Sequence, residues 1–310
     1  MGAQALQDAA SWRARHVLNT HLDVHVVKPV DSRTKARAAA MSLPTRGPSP
    51  ITCHIIATRN RTMDHAISAP SRAVPILMYH NIAQAPRELR VYRSLYVGPG
   101  AFARQLWLLR RLGYRGLSMS AAMPYLRGER HGRVVVITLD DGYVDNLQLA
   151  LPILQRYGFS ATCYVVSGSI GEHNRWDAQR LGIRKPLMSL DELRRWHDGG
   201  MEIGAHTRSH PRLTECTQPQ LRDEIGGSKA ELEDRLGLPV SQFCYPYGAA
   251  DERIAAITRE AGFAAATTTG RGRAMAGMDL WRLPRVQIAR HHTLAHFALR
   301  TLTGYEDRRA

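Results

Sequence analysis

The chain has 310 residues, a formal net charge of +15 and a pI near 10.2. Hydrophobic residues make up 44% and charged residues 22%, the balance of a soluble globular protein and not of a fibrous or disordered one. No apolar run reaches the ~18 residues a membrane span needs. Cys53, Cys163, Cys216 and Cys244 form no CxxC pair, and basic residues are nowhere interleaved with aromatics. These features exclude a zinc finger, a disulfide framework and a nucleic-acid stacking platform.

All but four of the 42 basic residues are arginine. That skew fits a solvated basic surface, and it leaves open peripheral contact with an anionic membrane surface.

Residues 1–70 are polar and broken by Pro and Gly, with nine Lys/Arg against four Asp/Glu. They show no apolar secretory core. The expectation is a poorly ordered basic extension over 1–70 and one folded domain over 71–310. A transit peptide, or upstream sequence with Met41 or Met63 as later starts, stays open. The missing secretory core favours a cytoplasmic location.

From Val74 the pattern changes to short apolar strands alternating with amphipathic helices. "VPILMYH" (74–80) reads as a strand, and Pro99 to Leu112 as a helix with Phe102, Leu106 and Leu109 on one face. "VVVITL" (134–139) is a continuous apolar run, as expected of a strand covered on both faces. Asn146 to Tyr157 reads as a helix that Pro152 bends. "SATCYVV" (160–166) is a strand, Leu190 to His197 a helix, "MEIGAH" (201–206) a strand, and Gln218 to Leu236 a long helix. "QFCYPYG" (242–248), "ERIAAITREAG" (252–262), "FAAATT" (263–268) and "WRLPRVQI" (281–288) continue the alternation. Repeated βα units predict parallel strands in a (β/α) barrel, complete or incomplete, with an open doubly wound sheet as the alternative.

Chemistry-bearing residues fall where such barrels carry it, at strand carboxyl ends. His80 ends the first strand, Asp140 and Asp141 follow "VVVITL", His206 ends "MEIGAH", and Tyr247 follows "QFCYP". Two adjacent carboxylates at a buried strand end repel, unless something cationic receives one of them. His206 and His210 in "HTRSH" stand at i and i+4, which on a helical turn places both imidazoles on one face. With Asp141 they could hold a divalent metal, zinc first, and leave one coordination position for water. Asp140 is then placed to take that water's proton as general base.

"TLDDG" (138–142), "HTRSH" (206–210) and "YPYG" (245–248) resemble three motifs of the polysaccharide deacetylase family, carbohydrate esterase family 4, also called the NodB homology domain. The resemblance spans roughly residues 74–290. It implies a distorted (β/α) barrel that uses one divalent metal to remove acetyl groups from the N-acetylated sugars of a glycan, oligosaccharide or glycolipid. Residue by residue, Asp140 matches the catalytic base, Asp141, His206 and His210 the metal ligands, and Tyr247 the residue whose backbone N–H helps hold the oxyanion.

Two departures stand out. Cys244 occupies the place where the family often has an arginine beside the base, and Arg285 in "LPRV" is the candidate replacement. The carboxyl-terminal "RHHTLAH" resembles the family's acid-histidine motif poorly. "PILMYHNI" (75–82) resembles instead the opening of the permuted branch typified by poly-N-acetylglucosamine deacetylases, so His80 inherits the acid role. "DLWRLPRV" (279–286) is loosely similar to the motif whose Trp lines the acetyl pocket, which makes Trp281 either a pocket wall or a core aromatic. Tyr143 lines the sugar cleft or covers the strand end. Cys244 reads as a buried hydrophobe, and His291 and His292 as a solvated surface. An O-deacetylase or other amide metallohydrolase on the same scaffold, and a catalytically silent glycan-binding barrel, are the rival functions.

Overall fold

The computed structural model describes residues 73–310, so the extension expected over 1–70 and its boundary lie outside the described residues. The strands, in chain order, are β1 (Ile76–Tyr79), β2 (Arg115–Leu117), β3 (Val134–Leu139), β4 (Thr162–Val165), β5 (Glu202–Ala205), β6 (Gln242–Cys244), β7 (Ala265–Arg271) and β8 (Leu283–Gln287). Every pairing between them is parallel. Seven strands close a ring in the order β1, β3, β4, β5, β6, β7, β8 and back to β1. The pairing of β1 with both β3 and β8 is what closes it, and it removes the open-sheet alternative.

The eighth strand lies outside the ring. β2 pairs with the first half of β3, at Val134 to Val136, and β4 pairs with its second half, at Thr138 and Leu139. The barrel is therefore distorted, as the resemblance implies, and incomplete, one strand short of eight.

Among the described residues, eight helices of seven or more residues accompany the strands: α1 (Pro99–Arg111), α2 (Met119–Leu126), α3 (Leu151–Tyr157), α4 (Arg175–Leu181), α5 (Leu190–Asp198), α6 (Ser228–Leu236), α7 (Glu252–Glu260) and α8 (Leu294–Leu302). Two predicted helices differ in detail. The segment from Asn146 opens with a π-helical turn, Asn146–Ala150, before α3, where Pro152 cannot donate to the preceding turn. The long helix predicted from Gln218 to Leu236 is split: α-helix over Gln218–Arg222, a π-helical turn over Asp223–Gly227, then α6. The sequence reading missed β2, α2, α4 and α8. β2 is only three residues long, and Pro124 inside α2 masks its helical signal.

Strand parity sets the two sides of the ring. Along β3, Val135, Ile137 and Leu139 pack in the larger core, with Leu106 and Leu109 of α1 and Leu154 of α3. Val134 and Val136 pack in a second cluster with Ile76 of β1, Tyr164 of β4, Cys244 of β6 and Leu283 of β8. That second cluster is the barrel interior. A period of two then directs the next positions on the same face, Thr138 and Asp140, inward. The same alternation directs His80 past β1, His206 past β5 and Arg285 within β8 inward. Four functional candidates are thus inward-parity residues of four strands of the ring, β1, β3, β5 and β8.

Gly204 of β5 also has inward parity, and there a side chain would collide. A Cβ at Gly204 would lie 2.5 Å from the Tyr164 ring and 3.0 Å from the Gln242 carbonyl oxygen. Gly204→Ala should therefore destabilise the protein by ~1–3 kcal/mol through overpacking. A thermal melt coincident with wild type would show that Tyr164 swings aside at no cost.

Candidate active site

Asp140 is 2% exposed and Arg285 is 1% exposed, so neither charge can be left to water. They satisfy each other with two parallel hydrogen bonds. Arg285 Nη1 donates to Asp140 Oδ1 at 2.7 Å, and Nη2 donates to Oδ2 at 2.8 Å. The remaining guanidinium donors go to the Thr268 carbonyl at 2.8 Å and to Thr138 Oγ1 at 3.1 Å. Burial pushes the Asp140 carboxyl up, but the charges of Arg285 and His80 outweigh it and hold the group below its usual value.

Cys244, in the position expected to lack an arginine, places its Sγ 3.2 Å from Arg285 Nη2 and 3.8 Å from Asp140 Oδ2. The guanidinium of β8 therefore reaches the carboxylate that Cys244 cannot serve. On the other side of Asp140, His80 Nε2 lies 3.8 Å from Oδ2.

Asp141 turns away from its neighbour. Its backbone is left-handed, φ 76°, and its carboxylate faces the two histidines whereas that of Asp140 faces Arg285. Asp141 Oδ1 lies 3.5 Å from His206 Nε2 and 3.5 Å from His210 Nε2. These ligand atoms all fall within 4.8 Å of one another. Bonds of ~2.0–2.2 Å in a tetrahedron place ligand atoms ~3.3–3.6 Å apart, so the set fits one zinc-sized ion. His206 Nδ1 lies 2.7 Å from the Cys244 carbonyl oxygen, an acceptor that requires the proton on Nδ1 and leaves the Nε2 lone pair facing Asp141. Nε2 and the carboxylate oxygen need a positive charge between them, which a proton on His206 or a metal ion supplies. Asp140, His206 and Cys244 also lie close together, but Arg285 already fills that space.

The two histidines do not share a helix, contrary to the i, i+4 reading. Residues 206–210 form a loop in which Thr207 (φ 66°) and His210 (φ 65°) are both left-handed. Thr207 Oγ1 accepts the His210 N–H at 3.0 Å, and Glu224 Oε2 accepts both the Arg208 and the Ser209 N–H at 2.9 Å. Glu224 belongs to the π-helical turn, which widens the helix just where the loop leans on it. Nothing in the sequence pattern singled out Glu224. The His210 ring is stacked on Trp176 at 4.6 Å and meets Tyr247 edge-on at 4.7 Å.

His80, Asp140, Asp141, His206, His210 and Tyr247 line one cleft of about 120 Å³. Tyr247 is left-handed as well, φ 59°, in the short turn Pro246–Gly248. Tyr92 and Asp177 join the cleft from a loop and helix α4, which the strand-end rule does not reach, and Thr269 joins it from β7. Burial and the nearby Asp141 charge raise the Asp177 carboxyl.

Trp281 is not in the cleft. Its indole N–H donates to the Phe263 carbonyl at 2.9 Å, and the Arg259 guanidinium covers its half-buried ring at 4.3 Å. Tyr143 is buried, and Lys185 Nζ sits 4.6 Å from its ring centroid. His291 and His292 line a separate cavity, and His296 opens α8; none of the three borders the cleft.

The polysaccharide deacetylase family model matches residues 127–266. YxkH of Bacillus subtilis (strain 168), a polysaccharide deacetylase by description, is 28% identical over 218 residues, covering 70% of this chain and 71% of that protein. The chain is similar to the polysaccharide deacetylase family over that segment and to that relative. Two solved deacetylases share its fold. The Streptococcus pyogenes deacetylase PplD, solved with acetate, is 26% identical with a TM-score of 0.66, over 75% of this chain and 99% of that one. BA0330 of Bacillus anthracis is 27% identical with a TM-score of 0.63, over 74% and 69%. These similarities support a hydrolase acting on the carbon–nitrogen bonds of acetylated sugars. The matched segment includes Asp140, Asp141, His206, His210 and Tyr247 but neither His80 nor Arg285. For those two, the geometry above is the independent observation.

Arg285→Met should destabilise the protein by ~3–5 kcal/mol, because it strands a buried carboxylate. Arg285→Met/Asp140→Asn should recover part of that loss. Urea denaturation of wild type and the two variants measures both effects, and equal stability of Arg285→Met and wild type would mean that the pair contributes nothing.

Proposed function

We propose that this protein is a metal-dependent N-deacetylase of a glycan, oligosaccharide or glycolipid carrying N-acetylated sugars. The observation that carries the reading is the position of Asp140. It is clamped by Arg285 on one side, faced by His80 on the other, and opens into the same cleft as Asp141, His206 and His210. In PplD the bound acetate is the small acid that such a reaction would release.

Asp141, His206 and His210 would hold the ion, zinc first. When bound, it supplies positive charge for the acetyl oxygen and eases loss of a proton from water. The chain's own groups do the rest. Asp140, kept deprotonated by Arg285, accepts the proton of the attacking water. The backbone N–H of Tyr247 donates to the oxygen that gains charge. His80, protonated, gives its proton to the departing sugar nitrogen. This last step matters most for an amide, because an amine leaves badly without a proton.

The metal assignment is checked by elemental analysis. Wild type should hold about one divalent ion per chain, and His206→Ala/His210→Ala should lose most of it. Equal content in both proteins rejects the ligand set.

The acid assignment is checked with two substrates. His80→Ala should lose ~10²-fold or more on an N-acetylated sugar. It should lose far less on an aryl acetate, whose phenolate departs unprotonated. His296→Ala should match wild type on both. The reverse pattern would move the acid to the carboxyl-terminal histidines. Acetate release from lipid-linked, nucleotide-linked and polymeric N-acetylhexosamines then identifies the carrier.

A further inference from the structure

Lysine is scarce in this chain, yet Lys185 is nearly buried and lies close to the site without lining it. Its ammonium donates to Asp145 Oδ2 at 2.7 Å and to Asn81 Oδ1. It also lies 4.6 Å from the ring centroids of both Tyr96 and Tyr143. Two oxygens and two aromatic faces thus enclose one compact charge, a cage that an ammonium fits and a planar guanidinium does not.

The cage leads to His80. Asp145 Oδ1 accepts the Ile82 N–H at 3.0 Å and a hydrogen bond from Asn146 Nδ2 at 3.0 Å. Asn146 Nδ2 also donates to the His80 carbonyl at 2.9 Å. Three consecutive residues past β1 are therefore held by one cluster: His80 through Asn146, Asn81 by Lys185 and Ile82 by Asp145. Among the described residues the His80 imidazole meets a polar side chain only at Asp140, 3.8 Å away. The aim of the ring depends on its backbone, and the backbone depends on this cluster.

Lys185 also ties the cluster to the segment before β5. Its own N–H donates to Asn174 Oδ1 at 2.7 Å, and the adjacent Pro186 carbonyl accepts the Val144 N–H at 3.1 Å. We propose that Lys185, acting through Asp145 and Asn146, is a positioning residue that sets His80 against Asp140. The inference rests on the reading of His80 as proton donor and extends it to a residue outside the cleft.

The Asn81 main chain keeps its own bonds to the Leu95 carbonyl (3.2 Å) and the Val97 N–H (2.9 Å), so loss of the cage should misalign the segment without detaching it. The test uses Lys185→Met and Lys185→Arg, each alone and with His80→Ala, on an N-acetylated sugar and an aryl acetate. Each single variant should lose ~10-fold or more on the sugar, by displacing the proton donor. Each should lose much less on the aryl ester and keep wild-type metal content. In the His80→Ala background, Lys185→Met should cost nothing further on the sugar, because the group it positions is gone.

Lys185→Arg keeps the charge beside Asp145, so it carries the test even if Lys185→Met fails to fold. It also separates misalignment from a changed field. Equal losses on both substrates, loss of metal, or additive losses with His80→Ala would overturn the inference and assign Lys185 a structural role. If His80→Ala itself shows no leaving-group dependence, the proton-donor reading fails, and this inference with it. If His80→Ala shows that dependence and neither Lys185 variant does, only the inference fails.

Discussion

The structure turns on a carboxylate that is almost wholly out of water. An unpaired charge at the Asp140 position would cost several kcal/mol, so the site exists only because Arg285 meets it with two short hydrogen bonds. The partners lie 145 residues apart in sequence, on β3 and β8. Those strands are not neighbours; β1 lies between them and pairs with both. Ring closure is therefore a condition for the chemistry. It brings the arginine of β8, the aspartate past β3 and the histidine past β1 to one end of one cavity.

Around that pair the backbone is held in sparsely populated conformations. Five non-glycine residues among those described have positive φ, and four of them, Tyr92, Asp141, His210 and Tyr247, line the cleft. Such geometry costs ~1–3 kcal/mol per residue and persists only where the surroundings over-determine it. Here the surroundings can be named. Thr207 and Glu224 hold the loop of the two histidines. The cluster of Lys185, Asp145 and Asn146 holds the segment of His80. Glu224 and Asn146 both sit in π-helical turns, where an extra residue per turn re-aims a side chain toward a loop. The strain and its supports occur together, at the carboxyl ends of the strands.

Most of the site could be read before any fold was known, because strands announce themselves by apolar runs and this architecture puts its chemistry just past them. That rule reached His80, Asp140, Asp141, His206 and Tyr247. It could not reach Asp177 or Tyr92, which come from a short helix and a loop with no periodic signal. It also misjudged how His206 and His210 meet. An i, i+4 spacing suits a helical turn, but two left-handed residues in a loop achieve the same convergence, and local spacing does not distinguish them. Trp281 is open in the sequence between pocket wall and core aromatic, and its indole bonds the Phe263 carbonyl away from the cleft.

The sequence by itself determined which residues carry charge and metal affinity, where the strands run, and which positions on each strand share a face, because these are local properties with a period of two. It left open which carboxylate would be neutralised by what. Only the tertiary structure decided that Asp140 belongs to Arg285 and Asp141 to the histidines. That division depends on the loop that brings His206 and His210 to Asp141, and on the closing of a ring that brings β8 to within two strands of β3. Both are consequences of long-range packing, and no window of neighbouring residues contains them.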